Sequence, residues 1–197
     1  FASIQPLVIN FDTGDIREDM DPLTYNQRSA AKDPETNFVI PSELDPANIK
    51  FRAQNGLVYL QKNTEGELEK LILPIKTKGL WSTMYGFFVL ENDLETVAGI
   101  SFYEHGETPG LGAEVENPRW RAQWKGKKVY DEQGDVDIVA VKGGVKENDP
   151  KANYQVDGLS GATITVNGVI FGIRYWLGEN GYLPFIEKLK ASQEQVL

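Results

Sequence analysis

The sequence contains no cysteine and a single histidine, His105, among its 197 residues. The lack of cysteine excludes a disulfide framework, a cysteine-ligated iron–sulfur cluster and a thiolate nucleophile. One histidine is too few for a multi-histidine metal site, and the acidic residues do not have calcium-loop spacing, so we predict no metal site. His105 is open to two interpretations, as a polar group packed in a loop or as a proton-transfer group.

Long apolar runs are also missing. The longest, such as the run FFVL at residues 87–90, fall far short of the roughly 20 residues that a membrane-spanning helix needs. Basic side chains are the minority, at 20 against 29 acidic ones, which gives a net charge of -9. This charge argues against nucleic acid as a partner and against binding to anionic lipid headgroups.

The pattern of apolar residues predicts an α+β fold. Alternating stretches at 57–61, 70–75, 84–91 and 96–103 are typical of strands, and the short turn-rich links between them predict hairpins in a mostly antiparallel sheet. Helical spacing predicts a helix that begins between residues 160 and 165 and ends at Gly178, and a final helix opening near Pro184. We expect these helices to pack against the sheet.

A glycine-rich loop follows the last of these strands. Within the sequence YEHGETPGLG at residues 103–112, Glu107 and Thr108 supply an acceptor and a hydroxyl, while Gly110 and the other two glycines allow the backbone to come close to a flat ligand. The alternative is a simple tight turn.

The segment DGLSGATIT at residues 157–165 precedes the predicted long helix. Its small residues, Gly161 and Ala162, leave room for a phosphate, and the start of a helix favours an anion through its free N–H groups and dipole. The alternative is that Ser160 or Thr163 only caps the helix. Thr165 carries a second hydroxyl nearby and is the competing candidate for any attachment.

These two segments, with KGLW at 78–81 and WLGENG at 176–181, resemble the C subunit of sodium-translocating NADH:quinone oxidoreductases. The resemblance covers roughly residues 70–190. The G subunit of Rnf electron-transport complexes shares the ETPGLG and SGAT elements, but we favour the C subunit of the sodium-translocating enzyme because the other two segments also match. The motif DxxSGAT resembles the signal that a flavin transferase reads when it joins FMN to threonine.

The resemblance implies an FMN-binding domain in which Thr163 bears FMN through a phosphodiester. The further cofactor-binding residues that it implies are Asp157, Ser160, Gly161, Ala162, Glu107, Thr108, Gly110, Leu111, Leu80 and Trp81. The domain would relay electrons between an iron centre and another bound FMN towards quinone, while the assembled enzyme moves sodium. It would not be catalytically complete alone.

The resemblance also implies partners and location. These are the other subunits of a membrane complex in the bacterial inner membrane, a flavin transferase during maturation, and a periplasmic position. Family members carry an N-terminal membrane helix, which this chain, beginning at Phe1, does not show. We therefore expect residues 1–34 to be an acidic, partly helical connector and residues 35–197 to form the FMN-binding domain. A non-redox binding or assembly module outside the cytoplasm stays open as the alternative function.

Overall fold

The computed structural model of the chain describes residues 3–194, so the outer ends of the two predicted segments, 1–2 and 195–197, lie outside the described residues. The strands are β1 (Ser3–Asn10), β2 (Asn37–Val39), β3 (Phe51–Ala53), β4 (Asn55–Lys62), β5 (Leu68–Lys78), β6 (Thr83–Glu91), β7 (Val97–Glu104), β8 (Val139–Val141) and β9 (Gln155–Asp157). The helices are α1 (Gln27–Ala30), α2 (Pro118–Ala122), α3 (Thr163–Trp176) and α4 (Leu183–Glu194).

The main sheet has five strands in the order β1-β4-β5-β6-β7, and every neighbouring pair is antiparallel. Alternate residues of β5 and β6 are buried, as a sheet with one face on the core requires. β2 pairs with β3, while β8 and β9 form a short parallel pair. The predicted α+β class with a mostly antiparallel sheet is confirmed.

Helix α3 packs against β5 and covers the core face of the sheet. Its glycines allow a close approach, because a Cβ atom at Gly168 would lie 1.8 Å from the carbonyl oxygen of Lys78. The aromatic side chains of Trp176 and Tyr182, at and beyond the end of α3, lie in the core with Phe11. This packing fixes the start of α3 relative to the end of β5.

Two strands separate in the middle of the sheet. β4 and β5 are paired from Tyr59 and Ile72 as far as Lys62 and Leu68. The pairing ends at Tyr59 and Ile72, just before Pro74 of β5, which has no N–H to donate to a neighbouring strand, whereas β5 itself continues to Lys78 and stays paired with β6. The hydroxyl of Tyr182 lies in the gap and donates to the carbonyl oxygen of Pro74 at 2.7 Å.

The N-terminal segment differs from the predicted partly helical connector. Ser3–Asn10 forms the edge strand β1, which pairs with β4 along its whole length, so the boundary expected at 34/35 does not separate this segment from the sheet. Pro6 makes this strand hard to predict from the sequence, because proline within an apolar run argues against a central strand. An edge strand such as β1 tolerates proline. From residue 3 to residue 34, the one short α-helix is α1.

The start of α2 has a common capping arrangement. Asn117 caps α2 by accepting a hydrogen bond from Arg119 N, with Pro118 as the first helical residue. Between residues 3 and 194, no helix has both the length and the apolar character needed to cross a membrane.

Candidate functional site

A cleft of about 260 Å³ forms where three distant segments meet. β5 and β7 both run antiparallel to β6, so they end at the same edge of the sheet, and the loops after them lie together. The start of α3 completes the cleft. The lining residues are Leu80, Trp81, Glu107, Thr108, Leu111, Gly112, Gly161, Ala162, Thr163, Ile164 and Thr165.

Most of the predicted site residues are brought together here. Three are not among the lining residues: Asp157, Ser160 and Gly110. The carboxylate of Asp157 accepts a hydrogen bond from Val145 N at 2.7 Å, which closes the loop after β8. Prediction from the sequence missed Gly112 and Ile164 as lining residues, although both lie within or next to the motifs, while Thr165, the competing candidate for attachment, also lines the cleft.

Glu107 is the centre of the hydrogen-bond network beneath the cleft. Its side chain accepts bonds from Leu80 N at 3.1 Å, from Trp81 N at 3.0 Å, and from Ser82 N and Oγ, both at 2.9 Å. The hydroxyl of Thr165 donates a fifth, at 2.6 Å. Both oxygens of Glu107 are thus used by the protein itself, and they join the loop after β5 to α3.

The charge of Glu107 is stabilised by this network. Burial alone would raise the pKa of the Glu107 carboxyl, but hydrogen bonds from the Thr165 and Ser82 hydroxyls and from the backbone N–H groups of Trp81 and Ser82 hold it below its ordinary value. The surroundings leave no space for a larger neighbour, because a Cβ atom at Gly79 would lie 2.5 Å from the carboxylate and one at Gly112 would lie 2.6 Å from it.

The two candidate threonines have opposite environments. Thr165 is 1% exposed and its hydroxyl is engaged by Glu107. Thr163 is exposed and is the first residue of α3. The N-cap position belongs to Ala162, and among the described residues no side chain caps this helix. The interpretation that Ser160 or Thr163 is a helix cap is therefore wrong for this helix.

The first turn of α3 fits a phosphate group. Because no side chain caps it, its N–H groups remain free to donate to an anion, which the positive end of the helix dipole also favours. Gly161, just before the helix, has φ of +75°, a conformation that glycine adopts without strain. The exposed Thr163 hydroxyl lies at the same place.

The rim of the cleft is apolar and open. The exposed fractions are 68% for Trp81, 60% for Ile164, and 45% for both Leu80 and Leu111. Four large apolar residues exposed around one cleft are typical of a surface that binds a flat aromatic ligand or a protein partner. The cleft therefore offers an apolar face next to an anion-binding helix start, which are the two features that an FMN group needs.

Other aromatic and polar residues near the motifs lie outside the cleft. Trp176 is a core residue, and Tyr85 lies under the guanidinium group of Arg28. The His105 Nδ1 atom accepts a hydrogen bond from Glu107 N at 3.1 Å, while its Nε2 atom lies 3.1 Å from a Glu116 carboxylate oxygen. This geometry fits the interpretation of His105 as a polar group that packs within the loop.

Comparison with known proteins agrees with this site. The family model for the FMN-binding domain matches residues 79–178. The C subunit of the Na(+)-translocating NADH-quinone reductase of Pseudomonas aeruginosa is 47% identical over 98% of this chain and 73% of its own length. Its counterpart in Vibrio vulnificus is 49% identical over 95% of this chain and 71% of its own.

Solved structures show the same relationship. The crystal structure of NqrC from Shewanella oneidensis superposes with a TM-score of 0.88 at 41% identity, covering 96% of this chain and 85% of that one. The corresponding C subunit from Parabacteroides distasonis superposes with a TM-score of 0.65 at 28% identity, covering 92% of this chain and 77% of that one.

Proposed function

This chain belongs to the family formed by the C subunit of the Na(+)-translocating NADH-quinone reductase, and on this basis we propose that its FMN is joined covalently to Thr163 and passes electrons towards quinone. The resemblance found in the sequence to this C subunit, rather than to the Rnf G subunit, is confirmed. The protein is an FMN electron-carrier subunit of a multi-subunit reductase. The attachment, the direction of transfer and a periplasmic position are the parts we propose.

The contrast between the two threonine hydroxyls carries the proposal. Thr163 is exposed at the uncapped start of α3, whereas the Thr165 hydroxyl is buried and donates to Glu107. A phosphodiester at Thr163 would place its remaining negative charge at the free N–H groups of the helix. Leu80, Trp81 and Leu111 would then supply the apolar face for the ring system.

The chain itself provides binding and positioning. FMN, when bound, carries one or two electrons, and the surrounding protein groups tune its potential. Glu107 fixes the loop that carries Leu80 and Trp81, and Thr165 ties this loop to the helix that carries Thr163. The open rim leaves one side of the cleft accessible to an electron-transfer partner.

The attachment is tested by co-expressing the chain with a flavin transferase and measuring its intact mass, followed by peptide mapping. We expect the mass of FMN minus water on the peptide containing Thr163. Thr163→Val should lose the addition completely, whereas Thr165→Val should keep it despite lower stability. If Thr165→Val lost the added mass and Thr163→Val kept it, the assignment to Thr163 would be wrong. An unmodified parent chain despite an active transferase would favour a non-redox binding or assembly module.

The direction of transfer is tested in the assembled complex. We expect Thr163→Val to abolish NADH-driven quinone reduction while NADH oxidation by an artificial acceptor, which draws electrons before they reach this protein, continues. Loss of both activities in a fully assembled complex would place this protein at the entry of electrons instead.

A further inference from the structure

A second cavity, of about 540 Å³, lies where β4 and β5 separate, and it shares no lining residue with the cleft at the start of α3. The sheet contributes Tyr59, Pro74, Lys76 and Phe87 to its wall. The N-terminal segment around α1 and the β2–β3 hairpin provide the opposite walls. Nothing in the proposed electron transfer uses this cavity.

The wall formed by the N-terminal segment is held firmly in place. The Tyr25 hydroxyl donates to the carbonyl oxygen of Asn55 at 2.8 Å, and Leu57 N donates to the Gln27 side chain at 2.7 Å. Arg28 makes two hydrogen bonds to Glu104 on β7, at 2.7 and 2.8 Å. Contacts of this kind keep a cavity preformed, which lowers the entropy cost of binding.

The charge of the cavity wall is opposite to that of the whole chain. Its lining residues include Arg28, Lys32, Arg52 and Lys76 but no aspartate or glutamate, although the chain has 29 acidic and 20 basic side chains. Two of the four cations are paired with carboxylates from outside the lining, Arg28 with Glu104 and Arg52 with Asp12, both at 2.7 Å.

The two lysines lack such partners within residues 3–194. The Lys76 ammonium group donates to the carbonyl oxygens of Ile49 at 2.9 Å and Phe51 at 3.3 Å, and neither lysine makes an ion pair there. Burial lowers the pKa of Lys76; the negative charge of Asp45 offsets part of this, and the charge of Lys32 adds to it. A negatively charged ligand would relieve this unfavourable state.

The remaining wall is largely aromatic. Phe87 lies 6.3 Å from Tyr59 and 5.3 Å from Tyr103, measured between ring centroids. Phe51 faces the cavity from the hairpin and is 41% exposed. Aromatic walls bind planar ring systems through stacked and edge-on contacts.

We propose that this cavity binds a planar aromatic molecule that carries an acidic group, with the ring against Phe87 and its aromatic neighbours and the acid beside Lys76 and Lys32. Each feature of the cavity binds one part of the ligand. The aromatic wall contacts the ring, and the lysines without carboxylate partners bind the acidic group. The fixed α1 segment leaves the cavity ready to accept the ligand.

Two probes of similar shape, one anionic and one neutral, test the proposal. Titration calorimetry on the whole chain would compare naphthalene-2-sulfonate with its neutral analogue naphthalene-2-sulfonamide. We expect one sulfonate per chain, bound about tenfold more tightly than the sulfonamide, because only the anion can form hydrogen-bonded ion pairs with the lysines.

Lysine variants then locate the binding site. Lys76→Met should weaken sulfonate binding about tenfold and leave sulfonamide binding unchanged. Lys32→Met, at an exposed position where folding is not at risk, should weaken it to a smaller extent. The matched control is Lys70→Met, because Lys70 lies on the same strand and is also half-buried but does not line the cavity.

Three results would overturn the proposal. The first is absence of sulfonate binding to the folded parent chain, and the second is equal affinity for both probes. The third is sulfonate binding that Lys70→Met reduces as much as Lys76→Met does, which would show a general charge effect and not a site.

Discussion

At the scale of single residues, Glu107 shows how a polar residue in a functional motif can serve the site by holding protein segments together. The sequence predicts it as an acceptor for the flavin, because it lies in a glycine-rich loop beside Thr108. In the structure both of its oxygens accept hydrogen bonds from the protein. Its role as a positioning residue follows from contacts with segments that are distant in sequence, which the motif could not reveal.

Replacing Glu107 with Gln should destabilise the protein. The amide nitrogen of glutamine cannot accept the N–H and O–H bonds that one carboxylate oxygen now receives, and each buried donor left without a partner costs about 1–3 kcal/mol. Urea unfolding at neutral pH would measure the loss of free energy of unfolding. Glu132→Gln, at an exposed position, should change this free energy by less than about 0.5 kcal/mol.

The effect of Glu107→Gln should also depend on pH. The folded state lowers the pKa of the Glu107 carboxyl, so its stabilising contribution is complete above the pKa of the unfolded chain and is lost as pH falls through the lowered folded value. We therefore expect the gap in stability between the parent and the variant to narrow in acid. Unfolding curves from neutral pH down to about pH 3 would measure it, and a gap that stays constant would contradict a charged Glu107.

The two threonines show the same limit of a motif at the attachment site. The motif selects Thr163, yet the sequence left Thr165 as a competing hydroxyl two positions away. Only helical geometry separates them, because it turns Thr165 towards Glu107 and leaves Thr163 exposed. The identity of the attachment residue remains a prediction that the mass measurement tests.

At the scale of elements, the position of the site depends on how closely α3 approaches β5. Cβ atoms at Gly168 and Gly172 would lie 1.8 Å from the Lys78 carbonyl oxygen and 2.3 Å from the Thr77 methyl group, respectively. Both distances are far below van der Waals contact. The two glycines, one turn apart, thus form the contact surface of the helix, and they set where Thr163 lies relative to Leu80.

Gly168→Ala should therefore destabilise the protein although alanine favours helices. The gain in helix propensity is about 1 kcal/mol, whereas overpacking against a backbone carbonyl typically costs about 1–3 kcal/mol, and sometimes more. We expect a net loss of stability and a lower yield of flavin attachment, because α3 must move away from the loop that holds Leu80. Thermal unfolding and intact mass would measure both effects.

Asn167→Ala is the matched control for this prediction. Asn167 is the neighbouring residue of α3 but is exposed, so alanine there should be neutral or slightly stabilising. If Gly168→Ala were as stable and as fully flavinylated as this control, the close approach of α3 to β5 would not be what positions the site.

Elements with strong periodicity were predictable, and those defined by long-range pairing were not. β4 to β7 alternate apolar and polar residues, and α3 repeats apolar residues at helical spacing, so each carries its own signal. The strand β9 has three residues and pairs in parallel with β8 over a long connection. Such a short strand exists only because the rest of the fold brings it against its partner, and no local pattern reveals that.

At the scale of the whole molecule, the two chain regions expected to be separate form one folded unit. The segment expected to be a connector, residues 1–34, supplies the edge strand β1, one wall of the second cavity and the core residues Val8, Ile9 and Phe11. Phe11 follows β1 directly and contacts Trp176 and Tyr182 in the core. The N-terminal part of the chain thus packs against the last residue of α3 and the segment that follows it, and α3 is the helix that begins at the site.

This arrangement predicts that replacing two apolar residues of the same N-terminal segment by alanine will change the stability to very different extents. Phe11 is completely buried, and its ring fills the space over Gly56, whereas Leu23 is 83% exposed. Phe11→Ala should cost about 3–5 kcal/mol, since it removes a buried ring and leaves a cavity, while Leu23→Ala should stay within about 0.5 kcal/mol. Urea unfolding of both variants would measure this difference. In a flexible connector both substitutions would be neutral, so a cost for Phe11→Ala below about 1 kcal/mol would mean that the N-terminal segment is not part of the folded domain.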